Sequence, residues 1–380
     1  MYIFLDKSLI VNEQDTEFAK IKLAIKFLVQ GYSEGNHLLD GDLNVLLHYR
    51  KIFSSVDEYT FSVLDELCRK YTDTRVTNVW FYIEVVKNVT ETFREENGIT
   101  IKQIKYDYFK SSKKIQRTNF IVEDLSDAEF YDYVCKCKLK GKDYNFESID
   151  GGGTKTIEKI RKYAYKQKEI SISIIDTDKK YAEDTPQKIT DFVKECNKIK
   201  PKDTTIFDYT IIDAHEIENL IPIEIIDKLD YKVGGQQDNK TSFDLISKSK
   251  LANEILQFYD LKKGIYKIKT ICDNPYYKKY VKQIVGLQPE LLTPYNNNFD
   301  TYYDNIETVE GKKGTEDNDK GKIFPGLRRD LLSASLKYIS KNLDSHLTPK
   351  LLPFQEKEWT RISNFIYTMC CCYIYNETRN

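Results

Sequence analysis

The segment EISISIIDTD, Glu169 to Asp178, decides how this sequence folds. A short β-branched run that ends abruptly in acid has the profile of a strand. Working outward, three similar runs surround it. NFIVE (Asn119 to Glu123) precedes SDAEFYDYVCKC, and YNFESID (Tyr144 to Asp150) precedes TKTIEKIRKYAYKQ. EISISIID itself precedes PQKITDFVKECNKI, and TIFDYTIID (Thr205 to Asp213) precedes EIENLI. Strands that each lead into a helix predict an α/β domain over 116–230, with a parallel sheet and right-handed crossovers. Ser126 with Glu129 predicts a capping box for the first helix, and Thr185-Pro186 predicts the start of the third.

The flanks read differently. Residues 1–115 predict a mostly helical region, because apolar residues recur at three and four in Phe18 to Gln30, Leu43 to Phe53 and Glu58 to Tyr71. MYIFL at the start is a candidate short strand. Residues 231–380 predict a second mostly helical region, with helices near 243–262, 327–343 and 355–375. Between them the polar stretch 295–322 predicts a mobile loop, since its composition can bury little surface.

The chemistry follows from the strand ends, because ligands of open α/β sheets collect outside the carboxyl edge. Glu123 ends the first strand, with Asp127 four residues on. Asp150 ends the second and leads into Gly151, Gly152, Gly153 and Lys155. Asp176 and Asp178 end the third; Asp213 ends the fourth, followed by His215, Glu216 and Glu218. Carboxylates gathered at one edge repel and raise one another's pKa unless a cation neutralises them. Mg²⁺ or Mn²⁺ does this through oxygen ligands, and a pair of such ions is the usual device for in-line phosphodiester hydrolysis. Acids in a first helical turn are also common as partners of the helix dipole, which is the plain alternative for Asp127. The triple glycine satisfies neither GxxxxGK[ST] nor GxGxxG. It is either a tight turn or a place where Gly152, Gly153 and Lys155 let a phosphate approach the backbone.

In this order, IVEDLSD (Ile121 to Asp127), GGGTK (Gly151 to Lys155), IIDTD (Ile174 to Asp178) and HEIENLI (His215 to Ile221) resemble a Toprim domain. The likeness is nearest to the Toprim of overcoming-lysogenization-defect (OLD) nucleases and of stand-alone antiphage Toprim effectors. The resemblance implies a Toprim-like parallel sheet with flanking helices. It implies Glu123 as metal ligand or general base, Asp127 as the second acid, Asp176 and Asp178 as the D-x-D ligands, and Glu218 as the acid of E-I-E-N. A two-metal Mg²⁺ or Mn²⁺ site would follow. Two departures stand out: Asp124 replaces the family's glycine after the first glutamate, and the Walker motifs of full-length OLD nucleases are absent. The resemblance covers only 116–230.

The resulting expectation is a metal-dependent endonuclease acting on DNA or structured RNA such as tRNA, as an effector of antiphage defence. The contrasting expectation is a non-catalytic Toprim-like module that docks onto a sensor or ATPase partner. A second copy of the chain is a further candidate partner. Fifty-eight Lys and Arg against fifty-nine Asp and Glu leave a net charge of −1, which excludes a bulk-basic binder but not a local basic groove. Lys113 and Lys114, in KSSKKIQR, and Arg161 are candidate phosphate contacts, although charge runs are more often solvated faces. The longest near-apolar run, Phe365 to Tyr375, is too short for a bilayer. No signal-peptide pattern opens the sequence and no paired CxxC occurs, so the eight cysteines read as buried thiols of a cytoplasmic protein.

Overall fold

The computed structural model describes residues 1–71, 79–200, 204–231, 237–310 and 321–373. The chain forms two compact units. The first comprises Met1–Ile174, Phe192–Thr210 and Arg361–Asn380; the second comprises Ile175–Asp191 and Ile211–Thr360. These bounds differ from divisions at 115/116 and 230/231. Within the first unit, late segments of the chain return to early ones: Thr118 Oγ1 donates to the Met369 carbonyl at 2.8 Å, and Tyr144 bridges Cys371. Pairings between residues so far apart in sequence leave no local mark on it.

The first unit holds two sheets. Strands β1 (Tyr2–Leu5), β2 (Leu38–Gly41), β3 (Phe81–Val86), β4 (Phe93–Glu96) and β5 (Ile99–Lys105) form one in the order β2-β1-β3-β5-β4. Only β4 is shown antiparallel to its neighbour. The expected helices are present as α1 (Phe18–Ser33), α2 (Leu43–Phe53) and α3 (Glu58–Arg69), and β1 is the expected short strand. The region is nevertheless built on a sheet and is not mostly helical. Its strands escaped sequence reading because they bury polar residues whose partners lie across the ladder. Glu84 of β3 is forked by Arg94 of β4, at 2.5 and 2.8 Å, and accepts from Gln103 of β5 at 2.9 Å. Lys102 of β5, 2 % exposed, donates to the Thr205 carbonyl.

The second sheet consists of β6 (Thr118–Val122), β7 (Phe146–Asp150), β8 (Ser171–Ile175) and β9 (Phe207–Ile211), in the order β7-β6-β8-β9. β7 and β8 both run parallel to β6, with Ile121 opposite Ile149 on one side and Ser173 on the other. The expected α/β architecture is present. β6 and β8 are buried along their whole length, as parallel strands covered on both faces are. Buried Ser173 meets its hydrogen-bonding requirement by donating to the Ile121 carbonyl at 2.7 Å. Helices α4 (Leu125–Lys138), α5 (Thr156–Ile160) and α6 (Gln187–Ile199) follow β6, β7 and β8. The capping box of α4 is Asp124 with Asp127, not Ser126 with Glu129. An aspartate reaches the N–H two residues on with a short, stiff side chain, and that moves the helix start forward.

The second unit carries short helices α7 (Ile223–Ile226), α8 (Gln237–Ser247), α9 (Ala252–Phe258), α10 (Pro275–Val285), α11 (Phe299–Asn305) and α12 (Leu331–Lys341). An antiparallel pair, β10 (Gly264–Tyr266) and β11 (Lys322–Pro325), interrupts them. Helix α13 (Pro353–Cys370) closes the described chain. Of the expected mobile loop at 295–322, residues 299–305 are helical and 311–320 lie outside the described residues. Among the described residues, no helix is long and apolar enough to cross a membrane.

All eight cysteines are free thiols, and only Cys68 is not buried. Burial pushes the Cys137 thiol up to about 11 and those of Cys370 and Cys372 up to about 12. Thiolate is the reactive form. Alkylation of native protein near neutral pH, read by mass spectrometry, is therefore expected to modify Cys68 well before any other cysteine. Equally fast labelling of Cys135 or Cys370 would contradict this packing.

Candidate functional site

In the first unit, Glu123 directly follows β6 and is half-buried; its carbonyl accepts from the Gly153 N–H at 3.0 Å. Asp127 closes the α4 capping box by accepting from the Asp124 N–H at 2.9 Å. That is the plain helix-terminus role for this acid. The triple glycine is required by the turn itself. A Cβ on Gly151 would stand 2.3 Å from the Val122 carbonyl oxygen, and Gly152 and Gly153 have φ of 71° and 61°. Lys155 is exposed beyond them. Of the basic candidates, Lys113 is exposed, whereas Lys114 donates to the carbonyls of Gln167 and Lys168. Arg161 pairs with Glu195. Lys114 and Arg161 are thus engaged in local structure.

Asp150, also in the first unit, accepts from the Gly152 N–H at 2.8 Å; the second unit gathers the acids of the later strand ends. Two loops, 176–178 and 212–218, are laced together by short-range hydrogen bonds. The Ile212 N–H donates to the Ile175 carbonyl at 3.1 Å, and the Asp178 N–H to the His215 carbonyl at 2.8 Å. Thr177 Oγ1 donates to the Ala214 carbonyl, and Asp176 Oδ2 accepts from the Ile217 N–H at 3.2 Å. Asp178 takes φ of 57°, in the left-handed region that aspartate tolerates better than most residues. That turn brings its carboxylate to Lys188 at 3.2 Å. The motif's asparagine fixes the other side. Asn219 accepts from the Glu216 N–H and donates to the Leu256 and Tyr259 carbonyls, both at 2.7 Å.

Two residues that sequence reading did not single out complete this centre: Asp260 and Lys262. His215, Glu216 and Asp260 each place a potential ligand atom within 4.8 Å of the others. His215 is 2 % exposed, and its Nδ1 lies 2.7 Å from the Lys179 carbonyl. A carbonyl can only accept, so Nδ1 carries the hydrogen and Nε2 points its lone pair or proton at the acids. Nε2 has no hydrogen-bond partner; it stands 3.5 Å from Asp260 Oδ2 and 4.0 Å from Glu216 Oε1. Asp260 Oδ1 is held by the N–H groups of Lys262 and Lys263, at 3.1 and 2.7 Å. Burial alone would lower the imidazole pKa, but the Asp260 carboxylate and then Glu216 raise it on balance.

Lys262 supplies the main counter-charge, 2.7 Å from Glu216 and 3.2 Å from Glu218. Glu218 is 5 % exposed and its Oε2 has no hydrogen-bond partner. Burial pushes its carboxyl above the usual range, and Lys262 only partly offsets this. The centre opens into a cavity of about 330 Å³ bordered by Asp178, His215, Glu216 and Asp260, with Lys180, Lys188 and Lys263 around them. It can hold a cation against the acids and an anion against the lysines. Sequence reading reached His215, Glu216 and Glu218 through the strand-end argument. Asp260 and Lys262 stand in YDLKKG, which carries no recognisable motif.

No family model matches the chain, and no curated protein or solved structure matches it.

Removing one partner of a buried ion pair leaves the other charge uncompensated. Lys262→Met is therefore expected to lower the unfolding free energy by about 3 kcal/mol, measured by chemical denaturation. Added Mn²⁺ should restore most of the loss. The pH dependence has a defined sign. Glu218 has a folded-state pKa above its ordinary 4.5, so its stabilising contribution is full below that value. It is lost as pH rises through the folded value. Mn²⁺, which favours the ionised carboxylate, should flatten that decline; an identical pH profile with and without Mn²⁺ would count against a cation at this centre.

Proposed function

We propose that this chain is a divalent-metal-dependent endonuclease that hydrolyses phosphodiester bonds in DNA or structured RNA such as tRNA. The carrying observation is the pair of buried, unpartnered ligand atoms, His215 Nε2 and Glu218 Oε2, set among carboxylates beside a lysine-bordered cavity. Buried polar atoms are almost always satisfied, so orphans of this kind call for a partner. The donor set fits a hard or borderline divalent ion: Mg²⁺ through carboxylate oxygens, or Mn²⁺ with the imidazole added. His215, Glu216 and Asp260 would hold it, with Asp178 at the same cavity and Glu218 linked to Glu216 through Lys262.

When bound, such an ion would neutralise charge on a phosphoryl oxygen and lower the pKa of water. The protein's own groups supply the rest. Lys180, Lys188 and Lys263 attract and orient the phosphodiester, as fixed positive charges do for a developing oxyanion. The Lys179 carbonyl fixes the ring and tautomer of His215, in the manner of an outer-shell partner to a ligating histidine. Asp176 and Asp178 correspond to the D-x-D of the Toprim resemblance. In the first unit the same resemblance assigns Glu123 as ligand or general base and Asp127 as the second acid. The role in antiphage defence, a separate ATPase or sensor partner, and self-association rest on that resemblance alone.

A second reading has its own observation. Lys262 already neutralises Glu216 and Glu218, and Lys188 faces Asp178. A cluster so balanced is what a non-catalytic module that docks onto a sensor or ATPase would retain.

The two readings part on activity. Purified protein with Mn²⁺ or Mg²⁺ should nick plasmid DNA or cleave total tRNA. Asp176→Ala and Asp178→Ala should each reduce the rate by about a hundredfold or more while leaving the circular dichroism unchanged. Glu123→Ala separately checks the role assigned in the first unit. Cleavage indifferent to EDTA and to the aspartate substitutions would remove the nuclease reading.

A further inference from the structure

The geometry points to a second anion site in the same unit, a subsite for a backbone phosphate of the nucleic-acid strand, in a basic cavity beside the acidic one. This inference rests on the nuclease reading for the identity of the anion.

The cavity measures about 430 Å³ and is bordered by Lys262, Lys263, Lys322, Arg328 and Arg329, with Asp330 as its one carboxylate among the described residues. Asp330 is committed: it forks Arg328 through Nε and Nη2, at 2.6 and 2.7 Å. Arg328 Nη1 donates to the Asp230 carbonyl at 3.0 Å, which fixes the guanidinium as part of the wall. Lys263 and Arg329 are exposed at the rim. The balance of charge is strongly positive, and a planar arginine beside lysines is the usual equipment for phosphate.

The cavity's position argues for a strand and against an isolated ion. Lys263 and Tyr266 border both this cavity and the acidic one. The shared wall is built from β10 and β11 in unusually close approach. Gly264 takes φ of 91°, and a Cβ there would lie 2.2 Å from the Phe324 carbonyl oxygen. A Cβ on Gly326 would lie 2.6 Å from the Lys262 carbonyl. Two glycines thus hold the 260–264 loop against 325–329 and set the two cavities side by side. A polyanion with one phosphate at the acidic centre would find positive charge for its neighbour here.

Lys262 joins the two. Its backbone N–H helps hold Asp260, its ammonium bridges Glu216 and Glu218, and the residue borders the basic cavity. A phosphate in the basic cavity would compete with the glutamates for this ammonium. Phosphate and divalent cation would then bind with mutual reinforcement.

The test uses the full chain with short fluorescent single-stranded DNA and RNA in EDTA, read by anisotropy. Lys322→Ala/Arg329→Ala, which touches residues of the basic cavity alone, is expected to weaken binding about tenfold or more and to flatten its salt dependence. Lys322→Arg/Arg329→Lys should stay near wild type. Undiminished binding by the alanine pair would overturn the subsite, as would absence of oligonucleotide binding by wild type. Equal competition by a poly-glutamate peptide would also overturn it, in favour of an acidic-peptide site. The two proposals fail separately. Expected binding changes without metal-dependent cleavage would leave the subsite and remove the nuclease. Asp178-dependent cleavage with unchanged binding by the alanine pair would do the reverse.

Discussion

Ionised carboxylates cannot be withdrawn from water without a compensating charge or hydrogen bond, and the second unit is organised around that constraint. Glu216 and Asp260 are brought together with a buried imidazole, and Glu218 joins them through Lys262. Two devices meet them: two backbone N–H groups hold Asp260, and one lysine pairs with both Glu216 and Glu218. The compensation is incomplete, since His215 Nε2 and Glu218 Oε2 remain without partners.

Hydrogen bonds brace the turn that carries the centre. Asn219 ties the 216–220 turn to the end of α9, and Gln355 donates to the carbonyls of Asn219 and Ile221, both at 2.9 Å. Trp359, fully buried, donates to the Leu220 carbonyl at 3.0 Å. Every polar member of this brace is satisfied, so it holds the acids against their mutual repulsion. The E-I-E-N segment therefore divides its labour: Glu216 and Glu218 carry charge, while Ile217 and Asn219 are buried and hold the turn in place.

The sequence made β6 and β8 legible because each is a short apolar run, and β7 and β9 because a helical stretch or turn follows each of them. The strand-end acids were legible for the same reason, and His215, Glu216 and Glu218 came with them. What stayed hidden depends on non-local pairing. β3 to β5 bury Glu84, Lys102 and Gln103, which read as surface residues until Arg94 and the Thr205 carbonyl are placed beside them. Asp260 and Lys262 stand some forty residues beyond the acids they serve, by subtraction from His215 and Glu218, and nothing in YDLKKG announces them. Some candidates also have local partners. Asp127 caps a helix, as an acid in a first turn commonly does, while Arg161 meets Glu195 and Lys114 clamps two carbonyls through partners distant in sequence.

The lysine in the acidic centre explains how one pocket can serve both of the readings it supports. At an effective dielectric near 20, unit charges about 4 Å apart attract by roughly 4 kcal/mol, and a divalent ion would double the attraction. Lys262 is thus a weaker counter-ion than the cation that would replace it, but it is covalently present and needs no metal. Replacement becomes favourable once the displaced ammonium finds another anion, and the basic cavity it borders is where a phosphate would provide one. On the proposed reading, metal and substrate would each make room for the other, and the acids would be assembled for chemistry only when both are at hand.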